Sequence, residues 1–352
     1  MIPIKNDSER TEAALSAGVV IAGAGPYGEV ACRYLKKLGG KVLFFIDNDP
    51  EKQGRFIDGI KIVTPQMLTE MESTTVLIAA RHAVGSIKKQ LDEFGLPSIP
   101  FDAFFVAQNL RRIENVRSDL LTDERSRQVY DGIIKAMLSG SEAYCAEIME
   151  GNQYFTLPEF VNIGTDHFVD AGAYVGDTVE KFIWVNNGAF KQIYAFEPGP
   201  PQFASLKLRM KRLSEEWAFG PDRFECLCLG LTDSAKEMNL SIDRSSLQGT
   251  HFSEQNKKGD TARLISLDDY LAGRPATFIK VDIEGMEMDM LRGAKETIQA
   301  FKPKLAISIY HNPEDLFVIP EYVNSLLPEY KMAVRHHSPM LMDSVLYCWI
   351  EG

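Results

Sequence analysis

Two charged residues stand where a buried strand should carry none. In "FIKVDIEGMEMDMLRGA", strand alternation puts Phe278, Lys280 and Asp282 on one face and Ile279, Val281 and Ile283 on the other. A central parallel strand rarely tolerates polar groups, because an unpaired buried charge is costly. Lys280 and Asp282 must therefore be paired, near the strand end, or part of a site. Asp282 has the chemistry of a general base, or of a carboxylate that orients a substrate hydroxyl. His311, directly after the strand "KLAISIY", is the second candidate base, since imidazole titrates near neutral pH. A histidine after a strand also serves as plain structure. Glu284 and Glu287 follow at a helix start, where the helix dipole favours carboxylates with or without chemistry. Asp282, Glu284 and His311 could instead ligate a divalent metal, but no spacing demands it, and none is expected.

Two glycine turns could hold a ligand. In "FVDAGAYVGDT", Asp170 ends a strand, Gly172 and Gly176 allow close backbone approach, and Thr178 falls in the first turn of a helix. The next strand ends in "AFEP", which places Glu197 where an acceptor-only carboxylate can take both hydroxyls of a ribose. The same residues also suit a plain turn and a helix cap. Earlier, "GAGPYG" satisfies G-x-G-x-x-G with Gly23, Gly25 and Gly28, and Pro26 suits a helix start. Asp47 lies about 20 residues beyond, as expected of a ribose-binding acid. Alternatively, "DNDP" is a turn in which Asp47 and Asn48 bond their own backbone.

These residues need elements to hold them. From Gly18 the chain alternates strand and helix: "GVVIAGAG", an amphipathic run through Leu38, "KVLFFIDND", "TTVLIAA", a helix over Val84 to Phe94, and "SIPFDAFF". From Leu110 to Glu150 the pattern is helical, with Val129, Ile133, Ile134, Met137 and Leu138 on one face. The alternation restarts with "HFVDAGA", "KQIYAFEP", "FECLCLGL", "ATFIKVDIEG" and "KLAISIYH", and closes on a terminal hairpin, "YKMAVRHH" with "SVLYCWIEG". The expectation is an α/β chain with two Rossmann-like domains, at 18–108 and 154–352, joined by a helical connector at 109–153.

Five segments in order, "FVDAGAYVGDT", "AFEP", "LDDYL", "IKVDIEGMEMDMLRGA" and "ISIYHNPEDLFVIP", resemble the FkbM family of S-adenosylmethionine-dependent O-methyltransferases. The resemblance covers residues 154–352. It implies the class I methyltransferase fold, a seven-stranded, mostly parallel sheet with an antiparallel last strand. It further implies that the loop from Asp170 through Gly172 and Ala173 to Gly176 holds the methionine part of the cofactor, that Glu197 holds its ribose, and that Asp233 contacts adenine. The acceptor it points to is a hydroxyl of a sugar, a glycan or a natural product. "NQYF", Asn152 to Phe155, could lay aromatics over the cofactor or sugar, or simply pack the connector. The acceptor pocket is expected to draw on Ser241 to Thr261. The first half resembles small Rossmann-like domains that precede sugar-modifying enzymes, here through "DNDP" and "GRFIDGI"; NAD or a nucleotide sugar is the ligand considered there.

Composition narrows the partners. A formal charge of −11 disfavours nucleic acid. The polar start "MIPIKNDSERTEAALSAG" lacks a signal-peptide core, and no stretch approaches the ~18 apolar residues of a membrane span, so a cytoplasmic location is expected. Oligomeric state is not legible. All five cysteines read as reduced core thiols, Cys226 and Cys228 on one strand face, and His336 and His337 as surface or core-edge residues. The rival to a methyltransferase is a nicotinamide-dependent oxidoreductase. It lacks a catalytic set in the first half, where Arg81 and His82 are the sole candidates. A non-enzymatic nucleotide sensor is the third reading.

Overall fold

The computed structural model describes residues 15, 17–71, 74–161, 164–242, 250–253 and 261–351. The chain divides into two units. One comprises residues 1–115, 128–149 and 338–341; the other comprises 116–127, 150–337 and 342–352.

The first unit is built on β1 (Val19–Ala22), β2 (Val42–Ile46), β3 (Phe56–Ile57), β4 (Ile60–Val63), β5 (Thr75–Ile78) and β6 (Ser98–Pro100). Their order is β3-β4-β2-β1-β5-β6, parallel except for β3 on β4. The central strand β1 reads VVIA and is buried at every position, the signature of a strand covered on both faces. At its carboxyl end the glycine turn leads into the helix Pro26–Lys37, with Pro26 at its first position. "SIPFDAFF" is not one strand. It pairs only over Ser98–Pro100 and then becomes the helix Phe101–Asn115, whose Phe101, Phe104 and Phe105 are buried. The strand stops at Pro100, and the aromatics beyond it sit on the buried face of the helix.

The second unit carries β7 (His167–Ala171), β8 (Gln192–Phe196), β9 (Phe224–Leu227), β10 (Gly230–Leu231), β11 (Lys236–Ile242), β12 (Thr250–Ser253), β13 (Thr261–Ile265), β14 (Phe278–Val281), β15 (Lys304–Ser308), β16 (Lys331–His336) and β17 (Ser344–Trp349). Seven of them form one mixed sheet in the order β16-β17-β15-β14-β7-β8-β9, with β17 antiparallel to both its neighbours. This is the α/β methyltransferase-like sheet, with the terminal hairpin at one edge. Strands β10 to β13 form a second, four-stranded sheet. Aromatic rings fill one face of the main sheet. Phe168 stacks on Phe182 with centroids 4.2 Å apart, and Phe278 closes on both. Each such ring, fully buried, contributes roughly 1.5–3 kcal/mol.

"FECLCLGL" breaks after Leu227, so its cysteines do not share a buried face. Cys228 is exposed and Cys226 half-buried, whereas Cys32, Cys145 and Cys348 are core thiols. Because β9 is the sheet's edge, one side of this segment has no strand to cover it. His336 and His337 are not surface residues. His336 is fully buried with Nδ1 2.8 Å from Ser344 Oγ, and His337 places Nε2 2.9 Å from the Tyr347 hydroxyl.

Candidate active site

The carboxyl ends of β7, β8 and β14 surround a cavity of about 350 Å³ in the second unit. Gly172 makes the crossing possible. Its φ is +82°, and a Cβ there would stand 1.9 Å from the Asp282 carbonyl oxygen, so only glycine lets this turn pass the end of β14. Gly176 (φ +84°) ends the turn ahead of the helix Asp177–Val185. Ala173 is buried in the turn, while Gly172 and Thr178 line the cavity.

Asp170 and Lys280 sit opposite each other in register on β7 and β14, with Lys280 Nζ 3.0 Å from Asp170 Oδ1. This resolves the polar residue in a buried strand. Lys280 Nζ also donates to the Gly172 carbonyl at 2.7 Å, which ties the glycine turn to β14. Burial opposes the ammonium, but Asp170 and Asp282 outweigh it and hold Lys280 above its ordinary range. Lys280 contributes to the cavity wall; Asp170 lies beneath the turn and does not.

Glu197, at the end of β8, is 5% exposed and lines the cavity. Its Oε2 accepts from the Tyr174 backbone N–H at 2.9 Å and its Oε1 from that of Gly199 at 2.7 Å. Burial nevertheless pushes its carboxyl up to about 7.

Asp282 occupies the opposite wall. Tyr154 donates its hydroxyl to Oδ2 at 2.6 Å, and Tyr310 donates to Oδ1 at 3.2 Å. Burial resists its charge, but Lys280 and His311 prevail and keep Asp282 below the usual carboxylate range. It is an anion ready to accept a hydrogen bond. His311 stands behind it, with Nε2 3.5 Å from Asp282 Oδ1 and Nδ1 2.9 Å from Glu287 Oε1, and is not among the cavity-lining residues. Against burial, Glu287, Asp282 and Glu284 raise its pKa to about 10. Burial carries Glu284, at the cavity edge, to about 7.

Four non-glycine lining residues adopt left-handed backbone: Tyr154 (φ 67°), Tyr174 (φ 47°), Glu284 (φ 57°) and Asp343 (φ 59°). Non-glycine residues in that region cost of order 1–3 kcal/mol and gather at ligand sites. Of "NQYF", Gln153 and Tyr154 line the cavity and Phe155 packs in the core. Asp233, expected at adenine, is not among the residues that line the cavity. It is largely exposed, pairs with Lys236 at 3.0 Å, and leaves that stretch of wall to Gly230 and Leu231. Of Ser241 to Thr261, residues 243–249 and 254–260 lie outside the described residues. Sequence reasoning missed Tyr310 and Asp343. Tyr310 carried a signal in its place beside His311 at a strand end; Asp343, in the hairpin connection, carried none.

In the first unit, Gly23 (φ +107°) and Gly28 answer to packing. A Cβ on Gly23 would stand 2.8 Å from the Ala79 carbonyl, and one on Gly28 would stand 2.1 Å from the Gly23 carbonyl. Gly25 faces open space. Asp47 accepts from the Ala24 N–H at 2.9 Å, the Asp49 N–H at 2.9 Å and Lys52 Nζ at 3.1 Å, so its carboxylate serves both the glycine turn and its own. Arg81 is bound to Asp102 at 2.8 Å and to the Tyr27 hydroxyl at 2.6 Å.

Comparison with known proteins adds an independent line. Residues 170–332 match the family model described as the methyltransferase FkbM domain, and residues 16–99 match one described as C2185-like, N-terminal. No curated protein matches the chain. Among solved structures, methyltransferase FkbM from Methylobacillus flagellatus KT is 22% identical, covering 98% of this chain and 94% of its own at a TM-score of 0.59. Weaker likenesses include an rRNA methylase from Streptococcus thermophilus (16% identity, 60% and 94% coverage, TM-score 0.33). Fibrillarin from Aeropyrum pernix in complex with S-adenosyl-L-methionine is another (11% identity, 55% and 70% coverage, TM-score 0.32). No comparison supports NAD or a nucleotide sugar. The second unit thus carries, over residues 170–332, a match to the methyltransferase FkbM domain, and this match supports methyltransferase activity.

Proposed function

We propose that the protein is an S-adenosylmethionine-dependent O-methyltransferase acting on a hydroxyl of a sugar, a glycan or a comparable small molecule. One observation carries the reading: a single cavity has Glu197 and the Gly172 turn on one side and Asp282 with Tyr154 and Tyr310 on the other. The residues fit the cofactor. Glu197 is an acceptor-only group at a strand's carboxyl end, suited to paired ribose hydroxyls, and the turn from Gly172 through Ala173 to Gly176 admits close backbone approach. Thr178 adds a hydroxyl at the helix start beside the turn.

When bound, S-adenosylmethionine supplies a methyl group already activated on a sulfonium. The chain's residues then have modest work: to hold an acceptor hydroxyl in line, receive its hydrogen bond and proton, and exclude water. Asp282 is the acceptor of that hydrogen bond. Tyr154 and Tyr310 fix its two oxygens, and Lys280 and His311 keep it ionised. Because its carboxylate is a weak base, positioning is its main contribution. Lys280 and Asp170 set the distance between the turn and β14. The test is calorimetric titration with S-adenosylhomocysteine, followed by transfer of labelled methyl to a panel of sugars and glycans. Micromolar binding, weakened by roughly 1.5–3 kcal/mol in Glu197→Ala, is expected; no binding by folded protein refutes the reading.

A further inference from the structure

Behind the wall formed by Asp282, the residues Asp282, Glu287 and His311 each offer one ligand atom, and these atoms all lie within 4.8 Å of one another. Glu287 is 0% exposed. Its Oε1 accepts from the backbone N–H groups of Ile283 at 3.0 Å and Gly285 at 3.3 Å, while its Oε2 has no hydrogen-bond partner. The ring of His311 lies between carboxylates, with Nδ1 2.9 Å from Glu287 Oε1 and Nε2 3.5 Å from Asp282 Oδ1. A buried carboxylate oxygen left without a partner is costly unless something else completes it.

The charges point the same way. Asp282, Glu284, Glu287 and the buried Asp315 all act on the one imidazole of His311. The other cation acting on Asp282 and Glu284 is Lys280, which already pairs with Asp170. Asp282, Glu284 and Glu287 thus each stand within 3.7 Å of this one imidazole, a gathering of carboxylates that a dication would suit.

We infer that Asp282, Glu287 and His311 form a binding site for a divalent cation of the first transition row, such as Mn²⁺ or Zn²⁺. An imidazole with carboxylates suits such ions, whereas Ca²⁺ takes oxygen alone and Mg²⁺ prefers water and carboxylate. Donors bound at about 2.1 Å around one tetrahedral ion stand about 3.4 Å apart. The His311 Nε2 to Asp282 Oδ1 separation of 3.5 Å meets that spacing. Cation binding stands independently of the methyl donor. A role in holding the acceptor oxygen beside Asp282 rests on the methyltransferase reading.

The experiment is a Mn²⁺ titration of the full chain, stripped of metal by chelator and followed by electron paramagnetic resonance. S-adenosylhomocysteine binding and thermal melting are measured on the same samples. One saturable site is expected, with Kd raised at least tenfold by His311→Ala and about 10- to 100-fold by the near-isosteric Glu287→Gln. Spin-echo modulation from one imidazole nitrogen in the Mn²⁺-loaded wild type gives a readout that needs no variant to fold. No saturable Mn²⁺ or Zn²⁺ binding up to about 1 mM overturns the inference. So does Mn²⁺ binding without nitrogen modulation, or binding undiminished in folded His311→Ala; in those cases a proton on His311 is the counter-charge. Failure to bind metal with S-adenosylhomocysteine binding intact sinks this inference alone, and the converse sinks only the cofactor reading.

Discussion

If Glu197 holds the cofactor ribose, cofactor affinity must depend on pH in the neutral range. Its carboxyl is raised by burial from 4.5 to about 7 despite the two backbone N–H donors it accepts from. A ribose hydroxyl donating to it needs the ionised form. With a pKa of about 7, roughly a tenth of the chains carry that form at pH 6 and nine-tenths at pH 8, so Kd for S-adenosylhomocysteine should be about tenfold weaker at pH 6. The stability linkage has the opposite sense. A raised carboxyl pKa favours the protonated folded state, so this group's contribution is complete below pH 4.5 and is lost as pH rises to about 7. A shift of that size corresponds to about 3 kcal/mol. The ligand therefore stabilises most where the free protein has lost this contribution, and its thermal shift should grow from pH 6 to pH 8. The assay is calorimetry at closely spaced pH values on wild type and Glu197→Gln. Glutamine cannot ionise, so the variant should lose the slope, and it should bind about 1.5–3 kcal/mol more weakly at pH 8. A flat wild-type profile, or a slope that survives in Glu197→Gln, refutes the assignment, the latter by tracing the titration to another group such as Glu284 or the ligand's own amino group.

Gly172→Ala must force its Cβ against the Asp282 carbonyl, so a loss of at least about 2 kcal/mol in chemical denaturation is expected, and a wild-type midpoint would contradict the contact. Asp282→Asn keeps shape and hydrogen bonding. Turnover should fall about 100-fold or more with S-adenosylhomocysteine affinity nearly unchanged, and near-normal turnover would move the acceptor-binding role elsewhere. Lys280→Met leaves Asp170 buried without its partner and should cost about 3–5 kcal/mol by urea melting; a change under about 1 kcal/mol would mean the pair is dispensable. In the first unit, Gly28→Ala should destabilise markedly while Gly25→Ala is tolerated within about 1 kcal/mol, and equal effects would show that the packing of this turn has been misread.

Much of the site was legible because its pieces end strands. Asp170, Glu197 and Asp282 follow apolar runs whose periodicity fixes where each strand stops, and ligand crevices open at those ends. The sheet was legible for the same reason, down to the terminal hairpin with β17 antiparallel. Residues set by tertiary contact were not legible. Asp343 reaches the cavity from a hairpin connection, and Asp233 pairs locally with Lys236 and is not among the lining residues. "SIPFDAFF" misled because it spans a three-residue strand and the first turn of a helix, a stretch too short to show the period of either.

The polar alternation in β14 is where fold and chemistry meet. Lys280 would be a liability in a strand buried at all four positions, yet its Nζ joins Asp170 on the neighbouring strand to the Gly172 carbonyl of the turn above. The Gly172 turn in its place leaves no room for a Cβ beside the Asp282 backbone. The wall proposed to hold the cofactor and the wall proposed to hold the acceptor are thus joined through one ammonium and one glycine, within a few ångströms of each other. A perturbation of either joint displaces both walls. Substitutions at Lys280 or Gly172 should therefore change binding and turnover together, whereas those at Glu197 and Asp282, which lie at opposite ends of this link, should separate them.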